Sequence, residues 1–163
     1  MTQVQLPEFD FVGVHMKLLI SGAETGNQFA LLENTSAGVS QTPVHIHADD
    51  DETIYMMDGE MEAVIAGQRH VIQEGETVFL PRGVPHQLMN ASGRPTRYLL
   101  LCMPAGFENF IAEAGQVRPA GSQPGPPSPE DVARLRDAAP RYGITLLPGW
   151  GGTGQLAKER TRG

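Results

Sequence analysis

GVSQTPVHIHADDDETIYMMDG (Gly38–Gly59) and GETVFLPRGVPHQLMN (Gly75–Asn90) decide the reading of this chain. The first stretch holds His45-x-His47 and, after a short acidic loop, Glu52. The second holds His86, just past the turn-forming run Pro81-Arg82-Gly83-Val84-Pro85. Side chains two apart on a strand project from one face, so His45 and His47 stand about 7 Å apart on the same side of an ideal strand. Curvature of that strand lets the two imidazoles converge. If the proline-rich turn sets the next strand opposite, three neutral nitrogens and one carboxylate face one point. Such a set, without thiolates, suits one divalent transition metal: Fe, Ni, Mn, Co, Cu or Zn. Four protein ligands on an octahedral ion leave two positions open to small molecules. Asp51 competes with Glu52 as the carboxylate, and the spacing favours Glu52. His15 and His70 fall outside the pattern and read as structural.

Outward from these stretches, 19 glycines and 13 prolines punctuate short apolar runs, the mark of an all-β domain. Candidate strands are Val14–Ile20, Phe29–Glu33, Val44–His47, Thr53–Met57, Met61–Ala66, Arg69–Ile72, Thr77–Leu80, His86–Asn90 and Tyr98–Met103. Asp58-Gly59 reads as a short hairpin turn, with Ala66-Gly67-Gln68 and Glu74-Gly75-Glu76 as further turns. Strands of this length and spacing predict a sandwich or closed barrel. Phe107–Ala114 reads as a helix packed on the barrel, and Gly121–Pro127 as a linker. Ser128-Pro129-Glu130-Asp131 supplies an N-cap, a proline at the first helical position and first-turn acids, opening a helix that Pro140 stops. The expected organisation is a barrel domain over 1–106, a helical extension over 107–147 and a mobile tail over 148–163.

Composition narrows the function classes. A chain of 163 residues, 40% hydrophobic, is long enough to bury one core. Its formal charge of −7, with no basic cluster before the last residues, argues against a nucleic-acid partner. The longest apolar run, Leu99–Met103, is far too short to span a bilayer. The N-terminus has no basic n-region, and the single cysteine, Cys102, reads as a packed core thiol. The expectation is a cytoplasmic protein acting on a small molecule, away from membranes.

The two motifs resemble those of the cupin superfamily. The first runs G-x6-H-x-H-x4-E-x6-G, one residue longer before the first histidine than the common form. The second, G-x5-P-x-G-x2-H-x3-N, matches without departure. The resemblance implies an all-β, cupin-type double-stranded β-helix (jelly-roll) barrel with short C-terminal helices, and the metal ligands His45, His47, Glu52 and His86. Pro104–Glu108, the capped helix and Arg141–Ile144 are similar to the C-terminal part of quercetin-dioxygenase-like single-domain bacterial cupins. That likeness implies a second role for Glu52, as the base that takes a proton from a substrate hydroxyl. It also implies a homodimer, for which Val14–Ile20 has the apolar content.

The leading expectation is therefore a metal-dependent dioxygenase acting on an enol or phenol, flavonoid or polyketide-like, with dioxygen as co-substrate. A non-redox isomerase, lyase or cyclase on the same ligands is the alternative, followed by a non-catalytic ligand-binding barrel. Ile54, Met56, Phe79, Leu88, Leu100 and Met103 are the expected pocket walls, with alternation fixing their parity but not their direction.

Overall fold

The computed structural model describes residues 6–119 and 125–148. Most of the expected linker and nearly all of the expected tail lie outside those residues. The strands run β1 (Glu8–Phe11), β2 (Val14–Ile20), β3 (Ala30–Ser36), β4 (Ser40–Gln41), β5 (His45–His47), β6 (Asp51–Asp58), β7 (Glu60–Ile65), β8 (Gln68–Gln73), β9 (Thr77–Leu80), β10 (His86–Asn90), β11 (Thr96–Met103), β12 (Gln116–Arg118) and β13 (Ile144–Leu146). The helices are α1 (Gly22–Thr25), α2 (Phe107–Ala114) and α3 (Pro129–Ala138), the last running into a 3-10 turn over Ala139–Tyr142.

Two antiparallel sheets face each other as a jelly roll. One has the order β12-β1-β2-β3-β11-β6-β9, the other β13-β5-β10-β7-β8 with β4 also on β10. Strict alternation of buried and more exposed residues on β3 and β11 turns one face of each strand into the barrel interior. Leu32, Ile54, Met56, Leu80 and Leu100 fill that interior. Both edges of β2 are taken, by β1 and β3, so Val14–Ile20 has no free edge to offer a second copy.

Two turns are tight for a backbone reason. Ala66 and Gly67 join β7 to β8 with φ of +49° and +81°, the pattern of a type I′ turn. Val12 and Gly13 join β1 to β2 in the same way, with a β-branched residue at φ +44°. Asp58-Gly59 corrects the sequence expectation. β6 pairs with β11 and β9, and β7 with β10 and β8, so Asp58-Gly59 is a corner where the chain passes between sheets and not a hairpin.

α3 begins as its sequence dictates. Ser128 Oγ accepts from the Asp131 amide, and the Asp131 carboxylate accepts from the Ser128 amide at 2.7 Å. The stretch expected as helices alone also contributes two strands, β12 on β1 and β13 on β5. No helix among the described residues is long and apolar enough to cross a membrane.

Candidate metal centre

Three elements position the four donors. His45 and His47 lie on β5, and His86 on β10 is paired directly with His45. Glu52 comes from β6 of the opposite sheet, on the inward parity it shares with Ile54 and Met56. The Gly83 amide donates to the His47 carbonyl at 2.7 Å, tying the proline-rich turn to β5. One donor atom from each of the four side chains falls within 4.8 Å of the others, a cluster able to hold a metal ion. Among the described residues, Asp51 is excluded from it. Asp51 has outward parity and pairs with Arg82, whose Nη2 stands 3.0 Å from Oδ2.

The rings are oriented from behind. Nδ1 of His45 faces the Pro43 carbonyl at 2.8 Å, Nδ1 of His47 the Asp50 carboxylate at 3.0 Å, and Nδ1 of His86 the Val84 carbonyl at 3.1 Å. In a neutral ring this puts the hydrogen on Nδ1 and leaves the Nε2 lone pair for a ligand. Nε2 of His47 and of His86 are buried with no hydrogen-bond partner in the protein, and stand 3.7 and 3.3 Å from Glu52 Oε2. Buried nitrogens left open beside a carboxylate fit an ion between them. Spacing arguments missed Asp50, because it sits in a run of three identical acids. Its place three residues after His47 was the available signal. Asp50→Ala is expected to weaken metal affinity about 10–100-fold, read by competition with a chromogenic chelator.

Electrostatics agree with a cation site. Burial pushes the His45 imidazole down, the His86 and His47 rings add to it, and its pKa falls to about 4. Burial also pushes His47 down, but the Glu52 and Asp50 carboxylates outweigh it and raise the ring to about 9. Burial pushes Glu52 up, yet the three histidines, His47 foremost, hold it at about 2, ionised at neutral pH. His15 is buried between Glu8 and Asp10, at 2.7 and 2.9 Å, away from the site, and His70 is exposed on β8. Cys102 is buried with its thiol 4.0 Å from Glu52 Oε1, and burial pushes its pKa well up.

A cavity runs from His45, His47 and Glu52 into the barrel. Leu88 and Leu100 line it as expected. Ile54 and Met56 face inward but are packed into the core beyond its reach. Phe79 and Met103 are corrections. Leu80 and Cys102 hold the inward parity of their strands, which leaves Phe79 and Met103 on the outer face, 56% and 47% exposed. The sequence reading missed walls drawn from distant segments, notably Phe11, Met16, Asn34 and Tyr98. From α2 come Phe107, whose ring centroid lies 5.4 Å from that of His47, and Phe110.

Comparisons with known proteins agree with the architecture. Residues 32–102 match the family described as Cupin domain. The chain is 26% identical over 132 residues to quercetin 2,3-dioxygenase of Bacillus subtilis (strain 168), covering 80% of this chain and 39% of the relative. It therefore spans about two fifths of that protein's length. A structure described as a predicted oxalate decarboxylase from Thermotoga maritima superposes with a TM-score of 0.55 at 21% identity, over 64% of this chain and 96% of that one. An RmlC-like cupin from Shewanella frigidimarina gives a TM-score of 0.55 at 16% identity, over 67% and 94%. At such identities these two likenesses speak for the fold alone. Paired antiparallel sheets, both histidine motifs in register across β5 and β10, and the match over residues 32–102 make that stretch similar to the family described as Cupin domain.

Proposed function

We propose that the chain is a metal-dependent small-molecule enzyme, a quercetinase-like dioxygenase that takes an enol or phenol of flavonoid or polyketide-like shape. One observation carries this reading. The open Nε2 atoms of His47 and His86 stand beside an ionised Glu52 at one end of a largely apolar cavity. His45, His47, Glu52 and His86 would hold one divalent transition metal, from among Fe, Ni, Mn, Co, Cu and Zn. When bound, that metal would supply Lewis acidity toward a substrate oxygen and, for every candidate but zinc, a route for electrons to dioxygen. Glu52 would accept the substrate's hydroxyl proton, since it is a buried, ionised carboxylate that lines the cavity. Phe107, Leu88 and Leu100 exclude water from the reacting end. The relative's name, quercetin 2,3-dioxygenase, supports the substrate class. The reading extends to the cytoplasm and to a homodimer that pairs through a surface other than an edge of β2.

Oxygen-electrode assays of protein loaded with each metal in turn, against flavonols and polyketide-like enols, test it. Oxygen uptake should match substrate loss, and Glu52→Gln should lower it at least about 100-fold, the scale of a lost general base. Turnover that continues without oxygen on zinc alone would replace this reading with a non-redox isomerase, lyase or cyclase.

A further inference from the structure

The cavity has a second polar end. Along β11, Cys102 sits opposite Glu52, while Tyr98 and Thr96 lie four and six residues further on. That separation is about 13 and 20 Å of extended strand. Asn34 faces Tyr98 across β3–β11, and Ser36 faces Thr96. Asn34 is 0% exposed and Thr96 1% exposed, and both line the cavity. Both atoms of the Asn34 amide and the Thr96 hydroxyl lack a hydrogen bond of ordinary geometry within the protein. Burial pushes the Tyr98 phenol up to about 12, against a hydrogen-bonding contact with the Asn34 amide that falls short of ordinary geometry. Asn90, at the same end, shows the contrast. Its Nδ2 donates to Ser36 Oγ, the Gly38 carbonyl and the Arg94 carbonyl, and its Oδ1 accepts from Ser92. Asn90 is spent on the fold, whereas the Thr96 hydroxyl is unpaired and the Asn34 amide has only the Tyr98 phenol beside it.

We propose that this end is a hydrogen-bonding subsite in which Asn34 and Thr96 recognise an uncharged hydroxyl or carbonyl on the far end of an elongated, apolar substrate. The inference rests on the cavity being the substrate site, as proposed above, and adds which substrates it selects. An amide and a hydroxyl each offer both a donor and an acceptor, which suits a neutral partner. Among the described residues, no lysine or arginine lines the cavity. A carboxylate or phosphate at this end would therefore be buried without a counter-charge.

The test compares two probes on metal-loaded protein: the parent flavonol, and its analogue with one extra hydroxyl at the para position of the outer ring. Titration calorimetry should show the hydroxylated probe binding wild type about tenfold more tightly, the scale of one buried hydrogen bond. In Asn34→Leu the two affinities should fall within about twofold of each other, and the free variant should melt higher, because an unpaired buried amide has been replaced by an apolar group. Thr96→Val, which keeps the side chain's shape, should shrink the preference in the same direction. Equal affinities in wild type, a preference that survives in both variants, binding of neither probe, or a lower melting temperature for Asn34→Leu would each overturn the inference. Discrimination without oxygen uptake would sink the dioxygenase reading and leave this one standing. Oxygen uptake with equal affinities would do the reverse.

Discussion

His47→Ala is expected to yield a folded barrel that no longer retains metal. The ring is 1% exposed, its Nε2 points into the cluster, and the methyl group that replaces it has no donor atom. Losing one of four ligands should cost more than the roughly 10–100-fold typical of an orienting residue, so affinity is expected to fall by more than about a hundredfold. Plasma emission spectrometry on protein dialysed against a weak chelator would show occupancy near zero, while circular dichroism keeps the β signature. The same occupancy in variant and wild type would remove His47 from the ligand set. The fold should survive because the core of Leu32, Ile54, Met56, Leu80 and Leu100 is untouched by the change.

Gly59→Ala should be the most damaging single-methyl change on the barrel's surface corners. Gly59 has φ +85°, and a Cβ there would sit 2.7 Å from the Pro95 carbonyl oxygen and 3.2 Å from Thr96 Cα. Both are backbone atoms, so relief requires moving the start of β11. Left-handed strain plus a backbone clash should cost about 2–4 kcal/mol. For a domain of this size that lowers Tm by about 5–15 °C. Gly67→Ala is the matched control. Its φ is +81°, but nothing lies within 4 Å of its would-be Cβ. Strain alone should cost it about 1 kcal/mol. Calorimetric scans of the two variants giving equal shifts would show that the corner contact with Pro95 does not matter.

The difference between these two glycines also shows what local sequence can and cannot say. Asp58-Gly59 carries a stronger hairpin signal than Ala66-Gly67, yet the hairpin forms at Ala66-Gly67. A turn's chemistry permits a reversal, and the partners available to the flanking strands decide whether one occurs. Val14–Ile20, Thr77–Leu80 and His86–Asn90 have the bounds the sequence suggests, while the strictly alternating β3 and β11 run past theirs. β5, β10 and Glu52 were legible because side-chain parity and a proline-rich turn are both local. Phe79 and Met103 failed because alternation names two faces without saying which is inside. Asn34 and Phe107 were invisible as site residues because their roles depend on pairing between segments far apart in the chain, whereas Asp50, only three residues after His47, was masked by its identical neighbours. β12 and β13, three residues each, leave no periodic trace at all.

β13 pairs Ile144 with His47 and Leu146 with His45, and the Ala48 amide donates to the Gly143 carbonyl at 2.9 Å. Two imidazoles of the cluster are thus braced by a segment that lies outside the matched 32–102 region. The pocket and this late segment form one inheritable unit. An engineer who grafts the barrel alone onto another scaffold would carry over every donor atom but leave behind the splint that keeps two of them aimed.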